Sequence, residues 1–156
     1  MAEKRLVLFR INKQVYGMDI DKVNAIEPVA GTVHVPNAPG YIEGIVNLRG
    51  SVVPVYSIHS KFNIATDASE SESKLIITQS GGSVFAFSVD AVDEIHVVDS
   101  KDLSTPPKVL QGDHTSYINE IANIKGNLVL CLNVDRMLSD AEKESMKDFV
   151  EAMKEE

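Results

Sequence analysis

The chain has 156 residues, a net charge of −8 and a single cysteine. That length suits one folded unit or two small, closely packed ones, and the lone Cys131, between Leu130 and Leu132, excludes an internal disulfide and reads as a buried thiol. An acidic chain with no Lys/Arg cluster repels nucleic acid and anionic lipid, and no apolar run approaches the ~20 residues of a membrane span, so the expectation is a cytoplasmic protein whose partners are proteins, with no nucleic acid and no membrane insertion.

Leu6-Val7-Leu8-Phe9 opens the chain as a strand, Asn12-Lys13 supplies a tight turn, and Val15 to Ile20 returns with Tyr16, Met18 and Ile20 on one face. Val35-Pro36-Asn37-Ala38-Pro39 is an extended connection, because proline biases its predecessor away from helix. Tyr41 to Gly50 and Val52 to Val55 follow as a further hairpin, with Pro54 indicating an edge or a bulge. Thr66 to Ser73 is polar and turn-rich and reads as a surface linker.

Beyond that linker the pattern begins again. Leu75-Ile76-Ile77-Thr78 aligns with Leu6 to Phe9, and the register holds without a gap through Ile26 over Ile95, with Phe85, Phe87 and Val89 in the places of Tyr16, Met18 and Ile20. The second turn is Gly81-Gly82, and Ser104-Thr105-Pro106-Pro107 is the second extended connection. Tyr117 to Gly126 aligns with Tyr41 to Gly50, and Leu128 to Leu132 is a nearly continuous apolar run, as in a strand covered on both sides or closed into a small barrel. The chain is thus a mainly β internal repeat, one copy over roughly residues 6–62 and the other over roughly 74–135, within a single domain spanning 1–156.

At the C-terminus, Ser139 with Glu142 forms a capping box that starts a helix over 139–156. Met146, Phe149, Val150 and Met153 then make one apolar stripe at i, i+3, i+4 and i+7. The stripe docks on the chain's own barrel or on a partner.

The segment Gly44-Ile45-Val46-Asn47-Leu48-Arg49-Gly50-Ser51-Val52-Val53-Pro54-Val55, preceded by Val35 to Pro39, closely resembles the signature of the CheW-like family of chemotaxis coupling proteins. Ser88 to Ile95 and Asn133-Val134-Asp135-Arg136-Met137-Leu138 resemble their family counterparts too, so the resemblance covers nearly the whole chain. It implies two intertwined five-stranded Src-homology-3-like barrels, with the chain free to cross between them, and no enzymatic activity. The implied role is to link the cytoplasmic tips of chemoreceptors to the regulatory domain of the histidine kinase CheA, or to serve another chemosensory pathway such as pilus or surface motility. Two positions depart from the family pattern: Ser57 stands where an Asp is common, and Ala25 where Glu is frequent.

Residues that match between the copies do one structural job twice, and residues that differ are free to specialise. On this test Asn47, Gly50, Asn123 and Gly126 are turn residues. Arg49 faces Lys125 across the repeat and offers a planar fork that grips carboxylates bidentately, so it is the leading protein-binding candidate against the alternative of a solvated hairpin charge. Leu48 and Glu27, the latter aligned with His96, join it. Val23 and Ile26 match Val92 and Ile95, which leaves core and interface both open for them.

No metal site and no cofactor are expected: His34, His59, His96 and His114 are scattered, and Cys131 has no ligand-spaced partner. Ser57 and His59 lack a visible acid for nucleophilic catalysis, and Gly44 to Gly50 has the wrong spacing and no lysine for a phosphate loop. A nucleic-acid-binding barrel would need a basic face, which a pI near 5.0 denies.

Overall fold

The computed structural model describes residues 3–29, 31–36, 42–59, 73–80, 82–110, 117–137 and residues 141, 142, 144, 148 and 151. Two curled sheets dominate. Strands β1 (Glu3–Ile11), β2 (Gln14–Asp19) and β3 (Val23–Pro28) precede the hairpin β4 (Ile42–Leu48) and β5 (Ser51–Ser57). The second copy supplies β6 (Lys74–Ser80), β7 (Ser83–Val89), β8 (Ala91–Asp99), the short β9 (Leu103–Ser104), β10 (Ile118–Ile124) and β11 (Asn127–Leu132), after which helix α1 spans Val134–Met137.

The repeats in sequence are not the sheets in space. One sheet has the order β8-β1-β2-β11-β10-β9 and the other β3-β6-β7-β5-β4, so each combines strands from both copies. Replacing every strand by its repeat counterpart converts one order into the other, with β9 answered by the single bridge between Val33 and Ile45. The joints between copies are parallel ladders, Cys131 beside Gly17 and Leu132 beside Met18 in one sheet, Val55 beside Ala86 and Tyr56 beside Phe87 in the other.

Side-chain alternation makes three cores from these two sheets. Leu6, Leu8, Ala122, Val129 and Cys131 fill one barrel, and their counterparts Leu75, Ile77, Val46, Val53 and Val55 fill the other. The opposite faces, carrying Phe9, Tyr16, Met18, Tyr56, Phe85, Phe87 and Val89, meet in a shared cluster between the barrels. Tyr56 and Phe85 both meet Phe87 edge to face with ring centroids 5.2 Å apart. The bulky faces read from Val15 to Ile20 and Val84 to Val89 are therefore the inter-barrel faces, while smaller aliphatics fill the barrels.

Of the two alternatives that Pro54 suggests, the edge is overturned, while an irregularity does occur nearby, the β4–β5 register shifting between Ile42 and Gly44 on the facing strand. β5 lies between β7 and β4 and is not an edge strand. Pro54 opposes Ile45, a pair that alternation from the two-residue turn leaves without ladder hydrogen bonds, so the missing N–H is directed toward β7. The β5–β7 ladder accordingly starts only at Val55, whereas Leu130, the counterpart of Pro54, already pairs with Tyr16.

The capping residue Ser139 and the stripe residues Met146, Phe149, Val150 and Met153 lie outside the described residues, but Ala141, Glu142, Glu144, Asp148 and Glu151 are helical. Among the described residues no helix is long and apolar enough to cross a membrane.

Candidate functional site

The hairpin β4–β5 turns through two residues, Arg49 and Gly50, with φ of +54° and +87°. Positive φ at both positions is the type I′ geometry whose twist matches that of the flanking strands. Asn47 secures it, its Oδ1 accepting the Gly50 N–H at 3.0 Å, and Asn123 does the same for Gly126 at 3.0 Å in the hairpin β10–β11. Lys125 shares the positive φ of Arg49, so both copies place a long cation in a conformation more natural to glycine or asparagine.

The turn projects the Arg49 guanidinium into solvent, its side chain 86% exposed. Curling of the sheet brings its two end regions together, so that Glu27 Oε1 on β3 stands 4.0 Å from Arg49 Nη2. At that distance and exposure the pair contributes under about 1 kcal/mol, leaving the fork available to another carboxylate. Beneath it opens a cavity of about 740 Å³ at the mouth of the barrel, floored by Ala25, Leu48, Val53 and Ile77 and edged by Val52 and Val84. An apolar floor with a charged fork at the rim can receive an apolar anchor together with a carboxylate.

Three of the sequence candidates, Arg49, Glu27 and Leu48, line this one cavity. Val23 and Ile26 do not: Val23 packs against the shared core, and Ile26 is 39% exposed elsewhere on β3. Val52, Val84 and Glu151 at the cavity edge were not singled out from the sequence, because adjacency across β5, β7 and the C-terminal helix leaves no local signal. Ala25 and Ser57, the two family departures, lie on the cavity floor and in the interior respectively.

The sequence shows no acid beside Ser57 and His59, but the fold supplies one. His59 Nε2 lies 3.1 Å from Asp90 Oδ2, and the same oxygen accepts the Asn12 backbone N–H. Both side chains are buried, and neither borders the cavity. The pair joins the end of β5, the β7–β8 junction and the β1–β2 turn. Burial, followed by the nearby Glu120 carboxylate, pushes the Cys131 thiol up to about 11, which suits an inert core residue. Asn133 caps α1 by accepting the Asp135 N–H at 2.9 Å.

A family model described as CheW-like domain matches residues 5–142. Chemotaxis protein CheW of Treponema pallidum (strain Nichols) is 27% identical over 149 residues, covering 93% of this chain and 88% of that protein. Chemotaxis protein CheW of Rhizobium meliloti (strain 1021) is 25% identical, covering 91% of this chain and 92% of its own length. Among solved structures, the scaffolding protein TtCheW from Thermoanaerobacter tengcongensis superposes with a TM-score of 0.80 at 26% identity, covering 89% of this chain and 90% of that one. With the exchanged pair of Src-homology-3-like barrels, these likenesses lead to one conclusion: the chain belongs to the CheW-like family of chemotaxis scaffolding proteins.

Proposed function

We propose that this chain is a non-enzymatic, cytoplasmic coupling protein that links the tips of chemoreceptors to the regulatory domain of the histidine kinase CheA. The carrying observation is the mouth of the barrel formed by β3-β6-β7-β5-β4, where an exposed arginine fork stands over an apolar floor. Such a surface gives a partner an anchor to bury and a carboxylate to place, and it needs no cofactor. Arg49, Glu27 and Leu48 carry the kinase contact in this reading. Val23 contributes by supporting β3, and Ile26 by its exposed position on the same strand. The receptor tip is assigned to the groove between the barrels.

The test is calorimetry of this protein against the isolated regulatory domain of a CheA kinase from the same cell. Saturable one-to-one binding is expected. Arg49→Glu should weaken it by about 2 kcal/mol, roughly thirtyfold, with unchanged thermal unfolding. Equal affinity of the variant and the parent removes Arg49 from the site.

A further inference from the structure

The internal repeat lets the mouth of each barrel be compared with the other, position by position. The floor of the Arg49 cavity is common to both: Leu48, Val53 and Ile77 answer to Ile124, Val129 and Leu8. The walls are not. Asn24-Ala25 on β3 and Gly82-Ser83 at the entry to β7 stand where the other copy has Asp93-Glu94 and Lys13-Gln14. Those four counterparts are exposed and place long or charged side chains around their own mouth, whereas the four residues at the Arg49 mouth are short and uncharged.

The consequence is depth. Ala25 and Leu48 both pack at the edge of the barrel core, and because Ala25 offers only a methyl the apolar floor stays open in a cavity of about 740 Å³, a size that takes in a whole ligand group. Charge at the rim adds a direction. Among the described lining residues Arg49 is the one cation, and Glu27 and Glu151 are the acids. A partner's carboxylate is accepted at the Arg49 fork and repelled elsewhere on the rim, which fixes how an apolar neighbour beside it enters.

We propose that these short wall residues make the Arg49 mouth a socket for one large apolar side chain protruding from the partner next to an acidic residue, and that Ala25 sets the size of the anchor it accepts. The socket is a property of this chain alone; its use by the kinase regulatory domain rests on the reading given under Proposed function. A residue that covers the floor removes apolar surface from water on both molecules, so the anchor is where binding energy concentrates. A larger residue at position 25 fills the space the anchor needs, and overpacking at a close contact is destabilising. The other mouth shares the floor but not the open wall, so the two ends of the molecule select different partner surfaces.

Two measurements on the full-length chain separate the two parts. Anilinonaphthalene sulfonate, an aromatic group carrying an anion, should shift the amide resonances of Leu48, Val53, Ile77 and Val84 on titration, and should shift them less in Ala25→Leu. Amides that stay still in the parent, or move equally in the variant, overturn the socket whatever the kinase does. Calorimetry against the CheA regulatory domain should then give a series graded by size: Ala25→Ser within about twofold of the parent, Ala25→Val weaker by about threefold, and Ala25→Leu weaker by about tenfold or more. Ala25→Val, a residue suited to a strand, carries the series if Ala25→Leu fails the accompanying thermal-unfolding check. Equal affinity along the series overturns the socket as the kinase's anchor site, while no binding by the parent overturns the kinase reading and leaves the titration to decide the socket.

Discussion

Two glycines show how differently single positions are constrained. A Cβ on Gly17 would meet Leu6, Val129 and Cys131 side chains at 3.4–3.6 Å, ordinary contact distances, and Ala86 already occupies the matching position in the other sheet. Gly17→Ala is therefore expected to stabilise the protein by about 0.5–1 kcal/mol, because strand glycine loses more chain entropy on folding. A Cβ on Gly44 would stand 2.4 Å from the Val33 carbonyl oxygen, where the Val33–Ile45 bridge crosses β4, so Gly44→Ala should cost about 1–3 kcal/mol. Denaturant titration of both variants checks the pair of signs. Cys131 gives a pH prediction. Its folded pKa of about 11 against an ordinary 9.0 means the native state holds the proton more tightly, so its contribution to stability is intact below about 9 and is lost as pH rises toward 11. Tyr16 and Tyr117, both raised by burial, add to the same slope. The midpoint of urea unfolding should accordingly fall between pH 9 and 11 in the parent, and fall less steeply in Cys131→Val.

At the scale of elements, the two type I′ hairpins each hold a long cation in a left-handed backbone. Arg49 and Lys125 accept a left-handed backbone that costs a long side chain about 1 kcal/mol. Lys125→Asn creates the preferred Asn-Gly turn and is expected to raise Tm by roughly 2–4 °C, read by calorimetric melting. An unchanged or lower Tm would show that Lys125 makes compensating contacts. That an arginine is kept in the strained place at the other hairpin fits a side chain retained for what it reaches. The turn aims its fork past the sheet edge and over the cavity.

At the scale of the whole molecule, the exchange of strands makes the two barrels inseparable. Each sheet needs a parallel joint between copies, and each barrel core draws on both halves of the chain. A fragment of residues 1–65 retains β1 to β5 but loses the β6–β7 pair that joins β3 to β5, and should be unfolded by circular dichroism. Mixing it with 70–156 should restore β structure and one cooperative transition. A fragment that folds alone would mean the strands can pair within one copy.

Much of this protein was legible before any coordinates. The period-2 alternation marks the strands, the Asn and Gly at repeated places mark the turns, and the 6–26 over 75–95 alignment announces the duplication, because these depend on residues close in sequence or on self-similarity. Arg49 stands out for the same reason, as the guanidinium fork aligned with Lys125 of the other copy. Strand exchange between copies follows instead from which bulky faces must meet in the shared core, a long-range packing choice that alternation cannot express. The acid beside His59, the tolerance of β5 for Pro54 and the closeness of Glu27, Val84 and Glu151 to Arg49 also belong to tertiary structure. They arise from the curling of one sheet and the parallel joints, which bring together residues separated by 22 to 102 positions.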